Sequence, residues 1–162
     1  MLEPLTDALA ALPPEDILAW HLIFDEYQKL SYKRKLWAAA YVINGGCSDD
    51  SFDYFRAWLT AQGKEVFLGA LADPDSLADY EACEEGVEFE DIMSAAIDAF
   101  EKIGEGDTDD FYRVLDGQEL PVDVKEEMKS EIKYADDIDL MWEEDEKELR
   151  ELLPKISMKF SW

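Results

Sequence analysis

Positive charge is what this sequence has little of. Fifteen lysines and arginines face forty aspartates and glutamates, giving 162 residues a formal net charge of -25. A field of that sign repels nucleic-acid phosphates and anionic membranes, and it draws in basic surfaces at a rate that falls with ionic strength. Direct nucleic-acid or membrane binding is therefore not expected, and a basic protein partner is. Composition leaves a second reading open, in which the acidity serves only solubility or adaptation to salt. Histidine is scarcer still. His21 is alone, which excludes every site that needs two imidazoles, the helical zinc-protease pair included. Cys47 and Cys83 are too few for a disulfide framework and lack metal-ligand spacing, as expected of reduced thiols in a cytosolic protein. No apolar run approaches a membrane span, and the opening MLEPLTDALAALPPED lacks the basic flank and continuous apolar core of a secretion signal. A cytoplasmic location is expected. Also missing are a phosphate-cradling loop, a dinucleotide fingerprint, repeats, low-complexity linkers and any strand-rich section, so no cofactor is expected.

What is present is apolar surface: 48% hydrophobic residues and 12% aromatics, enough for a core without disulfides or metals. It is densest from Trp37 to Gly63, around which the chain is organised. Leu36 to Ile43 is apolar nearly all round, the mark of a helix enclosed by others. Asn44, Gly45 and Gly46 stop it, and Ser48, Asp49 and Asp50 offer oxygens to the free amides of a new helix. On that helix Phe52, Phe55 and Leu59 share a face, Tyr54 and Trp58 an adjoining one, and Gly63 ends it.

Helical spacing also marks Leu2 to Leu12, and Glu15 to Leu30 with Ile17, Trp20, Phe24 and Tyr27 inward; Pro13 and Pro14 separate the two. Lys29, Lys33, Arg34 and Lys35 form a basic island, either a solvated connection or a counter-charge to the acidic remainder. Lys64 to Ala72 is a further helix, broken at Asp73-Pro74-Asp75, with Asp75 or Ser76 placed to cap the next turn. Asp73 to Glu119 holds seventeen acidic residues and two basic ones, Lys102 and Arg113. Phe89, Ile92, Met93, Ala96, Ile97, Phe100 and Ile103 nevertheless keep a helical stripe, and Phe111, Val114 and Leu115 a second, so the carboxylates are expected to project from ordered helices. A helix is expected over Val124 to Tyr134 and another over Trp142 to Leu153, followed by a docked tail, or a short strand, carrying Ile156, Met158, Phe160 and Trp162. The expected fold is all-α: a compact single-domain bundle, residues 1–162, of about six to eight helices around a buried central pair, with a core over 14–104 and a looser part over 105–162.

Few constellations could carry chemistry. Asp49, Asp50, Asp53 and Arg56 form the densest polar cluster near the nucleus; capping and an Asp53–Arg56 pair three residues apart account for it without a metal. Cys47, near a helix start, sits where a thiol pKa can fall, but neighbouring carboxylates push it back. His21 reads as a core histidine, satisfied or partly exposed. Asp73, Asp75, Asp79 and Glu84 match calcium-loop positions one, three, seven and twelve, but Leu77 and Ala78 occupy the fifth and the glycine position. The candidate interaction surface comprises Glu84, Glu85, Glu88, Asp107, Asp109 and Asp110.

LWAAAYVINGGCSDDSFDYFRAWLTAQGKEVFLGALADPDSLA, Leu36 to Ala78, resembles the core of the bacterial domain-of-unknown-function family numbered 4240, and ELRELLPKI resembles its C-terminal element. The resemblance implies no activity and assigns no functional residue; relatives are found beside a tryptophan-glycine-arginine domain linked to nucleic-acid metabolism. The function expected is a non-enzymatic, cytoplasmic protein-protein interaction module, inhibitor or immunity-like, with a basic partner. Its alternatives are a DNA mimic occupying a nucleic-acid-binding cleft, and an enzyme using the Cys47 to Arg56 region.

Overall fold

Ten α-helices and three short 3-10 helices carry the fold in the computed structural model, which describes residues 2–84, 86–139 and 146–160; no strand occurs among the described residues. The architecture is an all-α bundle. The helices are α1 (Leu2–Ala10), α2 (Pro14–Leu30), α3 (Arg34–Asn44), α4 (Asp49–Ala61), α5 (Lys64–Ala72), α6 (Ala95–Lys102), α7 (Thr108–Leu115), α8 (Val122–Ser130), α9 (Glu146–Leu152) and α10 (Pro154–Lys159). They outnumber the expected six to eight because the C-terminal part is cut into short pieces.

The central pair forms as its residues dictate. In α3, Leu36, Ala38, Ala39, Ala40 and Val42 are fully enclosed, and Gly45 closes the helix in the left-handed conformation, φ 69°, that a side chain resists. In α4, Phe52, Phe55 and Leu59 are fully buried. Trp37 stacks on Phe52 with centroids 4.8 Å apart and donates its indole N–H to the Cys47 carbonyl at 2.9 Å, which pins the turn between the two helices. This core takes in Phe67, Ala70 and Leu71 of α5 and reaches Leu149, Leu153 and Ile156 at the C-terminal end. A second core joins Leu9 of α1, Ile17 and Leu18 of α2, Ala95, Ala96, Ala99 and Phe100 of α6, and Phe111 of α7. A small third one, Phe24, Ala57 and Ile92, lies between α2 and α4.

Several expectations need correction. The stripe from Phe89 to Ile103 is not one helix: Phe89 lies on non-helical chain, its N–H bonded to the Tyr54 carbonyl at 3.1 Å, and Glu90–Ser94 is a 3-10 helix leading into α6. The acidic side chains therefore do not all stand on regular helices: Glu88 sits on the same extended chain and Glu84 on a 3-10 helix over Glu81–Glu84. Val114 is 47% exposed, since the eight-residue α7 turns only Phe111 fully inward. The helix expected over Val124 to Tyr134 spans Val122–Ser130 instead, because Pro121 supplies its start and Tyr134 is needed elsewhere. Ile156 and Met158 belong to a helix, α10, that Phe160 closes as its C-cap, and not to a strand: Ile156 is buried and Met158 exposed, as helical geometry requires. Glu85, Trp142 and Trp162 lie outside the described residues.

The sharpest correction concerns Asp75. It does not cap the turn that follows it, where Asp73 accepts from the Asp75 N–H at 3.2 Å. The Asp75 carboxylate is buried and caps α10 instead, accepting from the N–H groups of Lys155 at 3.1 Å and Ile156 at 3.0 Å. Asp137 serves α3 in the same way, accepting from the Lys35 N–H at 2.9 Å, while Arg34 pairs with Asp139 at 2.7 Å and the Tyr134 hydroxyl donates to the Leu30 carbonyl at 2.8 Å. The segment after α8 thus answers part of the basic island.

Replacing Asp75 by alanine strands two amides at the head of α10 and should lower stability by about 1.5–3 kcal/mol, the range for hydrogen bonds to a charged group. Asp75→Asn should lose less. Urea unfolding measures both, and hydrogen exchange at Lys155 and Ile156 should accelerate first.

Candidate functional site

The polar cluster at the start of α4 is divided among structural tasks. Ser48 is the N-cap, its Oγ accepting from the Ser51 N–H at 3.2 Å; Asp49 and Asp50 fill the first turn as exposed carboxylates facing the positive helix end. Capping therefore rests on Ser48 and not on the two aspartates. Asp53 and Arg56 form the ion pair their spacing suggests. Arg56 is far more buried than a surface pair requires, at 5% exposure. Its guanidinium lies against the adjoining rings of Tyr32 and Phe52, 4.8 Å from each centroid, and donates to the Gln28 carbonyl on α2. Burial pushes its pKa down while Asp53 pulls it up, and guanidinium remains charged at neutral pH. Beside it, both side-chain atoms of Gln28 and Nε of Arg56 are buried without hydrogen-bond partners.

Cys47 is a poor nucleophile. Burial first, then Glu88, pushes its thiol up to about 12, and the S–H lies 3.7 Å from the Ser48 carbonyl. Cys83 is buried and pushed up to about 11 by desolvation. His21 is a core histidine, 7% exposed, packed T-shaped against Phe111 at 5.2 Å, and its Nδ1 is buried without a hydrogen-bond partner. Desolvation lowers its pKa below the ordinary 6.5, partly offset by Asp25.

The candidate acidic surface separates into two places. Glu84 pairs with Lys159 at 3.1 Å, and Glu88 accepts from Asn44 at 3.5 Å, both beside the first core. Asp107 and Asp110 instead build the head of α7 as a reciprocal capping box, and Asp110 also pairs with Arg113. Gly106 is required there, because a Cβ on it would lie 2.5 Å from that of Asp110. Asp109 takes no part in that box. It lines a groove of about 660 Å³ between α2, α7 and the chain leading to α8. Five carboxylates meet there, Asp25, Glu26, Asp109, Asp116 and Glu119, with Lys29, Arg113 and Lys125. Two of those cations are already paired within the chain, Arg113 with Asp110 and Lys125 with Glu119 at 3.8 Å. The α2 contribution, Leu22, Asp25, Glu26 and Lys29, escaped sequence reasoning; its only signal was the 3.6-residue spacing of the polar face opposite Ile17 and Phe24.

The family model described as a protein of unknown function (DUF4240) matches residues 1–102. The chain belongs to that family. No curated protein and no solved structure matches it. The matched span of this DUF4240 member runs from α1 to α6, so it includes Cys47 to Arg56, Glu84 and Glu88 and stops short of Asp107, Asp109 and Asp110. Among the described residues no helix is long and apolar enough to cross a membrane.

Ser48→Ala should cost about 1 kcal/mol, whereas Asp49→Ala and Asp50→Ala should each cost no more than about 0.3–1 kcal/mol from the helix dipole. Denaturant melts with and without added divalent metal check this; a metal-dependent rise in Tm lost in both aspartate variants would contradict it. His21 generates a pH effect of definite sign. Its folded pKa is lowered, so the unfolded chain takes up a proton that the folded chain refuses, and stability present above about 6.5 is lost as pH falls below it. Unfolding free energies measured from pH 7.5 to 5 should therefore fall in the wild type relative to His21→Leu.

Proposed function

We propose that this chain is a non-enzymatic interaction protein, of inhibitor or immunity type, that binds a basic partner through the groove between α2 and α7. One observation carries the reading: with Lys125 paired to Glu119 inside the groove and Arg113 held by Asp110 outside its lining, Asp25, Glu26, Asp109 and Asp116 face Lys29 alone. The surplus negative charge sits on a concave surface, where field lines from exposed carboxylates concentrate and speed the approach of a cationic surface. An enzymatic role for the Cys47 to Arg56 region has less support. Its thiol is held protonated, and its strongest cation is committed to Asp53 and to the Gln28 carbonyl.

The test is kinetic. A partner captured with the full chain at low salt should show an association rate that falls steeply as salt rises, with a smaller change in dissociation. Combining Asp25→Lys with Asp109→Lys, two exposed positions outside the capping box, should reproduce the effect of high salt while circular dichroism shows the helices intact. An on-rate flat across the salt series, or full binding by the double variant, would falsify the reading. Competition by duplex DNA for the same partner would favour a DNA mimic.

A further inference from the structure

The opposite face of α2 borders a different kind of groove. By the helical period, Leu22, Asp25, Glu26 and Lys29 point to one side of α2 and Trp20, Ile23, Phe24 and Tyr27 to the other. The second set, with Leu5, Thr60, Ala61, Phe89 and Ile92, lines a trench of about 380 Å³ between α2 and α4 that contains no charged residue. Trp20 stacks on Phe24 at 5.3 Å, Ile23 stands 38% exposed on the lip, and the small third core forms the floor. Beyond Tyr27 and Thr60 the trench continues into a hollow of about 110 Å³ beside Phe67. From Trp20 to Tyr27 it follows α2 for two turns, roughly 10 Å at 1.5 Å per residue. All the residues lining the trench lie within the span matched by the family model.

Exposed acidic residues adjoin the lining along the chain: Asp16, one turn before Trp20 on the same face of α2, and Glu90 and Asp91, between Phe89 and Ile92, with Glu90 accepting from the Tyr54 hydroxyl. The cation of the adjoining hollow, Lys64, is paired with Glu131 at 2.6 Å. An apolar trench two turns long fits the i, i+3/i+4 and i+7 anchors of an amphipathic helix, and the adjoining acidic residues, on a chain of net charge -25, select one with basic flanks. The same net charge opposes a second copy as occupant. We infer that this trench docks a basic amphipathic helix whose aliphatic or aromatic face fills it and whose lysines or arginines meet Asp16, Glu90 and Asp91. The inference rests on the reading above, that the partner is basic, and adds the element by which it is held.

Three fluorescein-labelled synthetic peptides test it by fluorescence polarisation against the full chain at low salt: an amphipathic leucine/lysine helix, the same composition with its pattern scrambled, and a leucine/glutamate counterpart of the first. The expected result is binding of the amphipathic basic peptide about tenfold or more tighter than either control. Ile23→Gln, which removes the apolar lip, and Ala61→Trp, which fills the trench from α4, should each weaken it about tenfold; with two variants, misfolding of one leaves the other to decide. If the scrambled peptide binds as well and the variants change nothing, the trench is overturned while the acidic-surface reading stands. Equal binding of the glutamate peptide would overturn the basic occupant together with that reading, as would failure of all three to bind. A dimer seen by sedimentation and dissolved by Ile23→Gln would assign the trench to a second copy and overturn the proposal.

Discussion

Free N–H groups at helix starts are the constraint this fold has to meet, and it meets them at long range. The ten α-helices among the described residues leave unsatisfied amides at their starts. Ser48 and Asp107 cap α4 and α7 locally. At α3 and α10 the residue before the helix supplies no side-chain cap, and carboxylates from distant segments take its place: Asp137 at Lys35, Asp75 at Lys155 and Ile156. Each of these bonds holds an α-helix terminus and also ties the C-terminal third of the chain to the first half. Lys159 adds to the second tie by donating to the carbonyls of Ala78 at 2.8 Å and Tyr80 at 3.2 Å. Part of the acidity therefore serves folding, and what remains exposed is available to a partner.

Arg56 does for the centre what these caps do for the ends. Burying a cation is costly unless its donors are used and its faces are covered. Here Asp53 and the Gln28 carbonyl use two donors, and the adjoining rings of Tyr32 and Phe52 pack against the cation. The carbonyl belongs to α2, so this side chain of α4 joins the core of Phe24, Ala57 and Ile92 in holding the two helices together. α2 is also the wall that both grooves share, one face lined by charge and the other by aromatic rings. A basic partner with an amphipathic element could be guided by the first kind of surface and held by the second. Charge mainly sets how fast a complex forms, and buried apolar anchors mainly set how long it lasts.

Membership of a family of unknown function leaves the chemistry to be read from the molecule itself, and the role we propose for it is recognition. Its thiols are shifted away from reactivity by burial, and its lone histidine packs T-shaped against Phe111. The groove between α2 and α7 brings carboxylates together with lysines and an arginine.

The all-α class, the α3 to α4 reversal and the bounds of α5 were legible in the sequence because they depend on near neighbours: an apolar period, a glycine closing a helix, a serine opening one. The same local rules explain why α2 begins at Pro14 and why Asp53 finds Arg56. They misplace Asp75, since a carboxylate after Asp73-Pro74 looks like the cap of its own turn until α10 arrives from eighty residues away with two amides to satisfy. They also treat α10 as a tail, because a six-residue helix is too short to declare itself by period and is stable only where Asp75 and the core hold it. The grooves belong to the same class. Asp25 and Asp109, or Trp20 and Phe89, become neighbours only when α2 is docked, and no spacing along the chain encodes that. Sequence alone determined the all-α class, the α3 to α4 reversal and the sign of the charge, all of them sums of local terms. Tertiary structure decided which carboxylates cap, which face water and which faces of α2 remain open, because those depend on contacts between residues far apart in the chain.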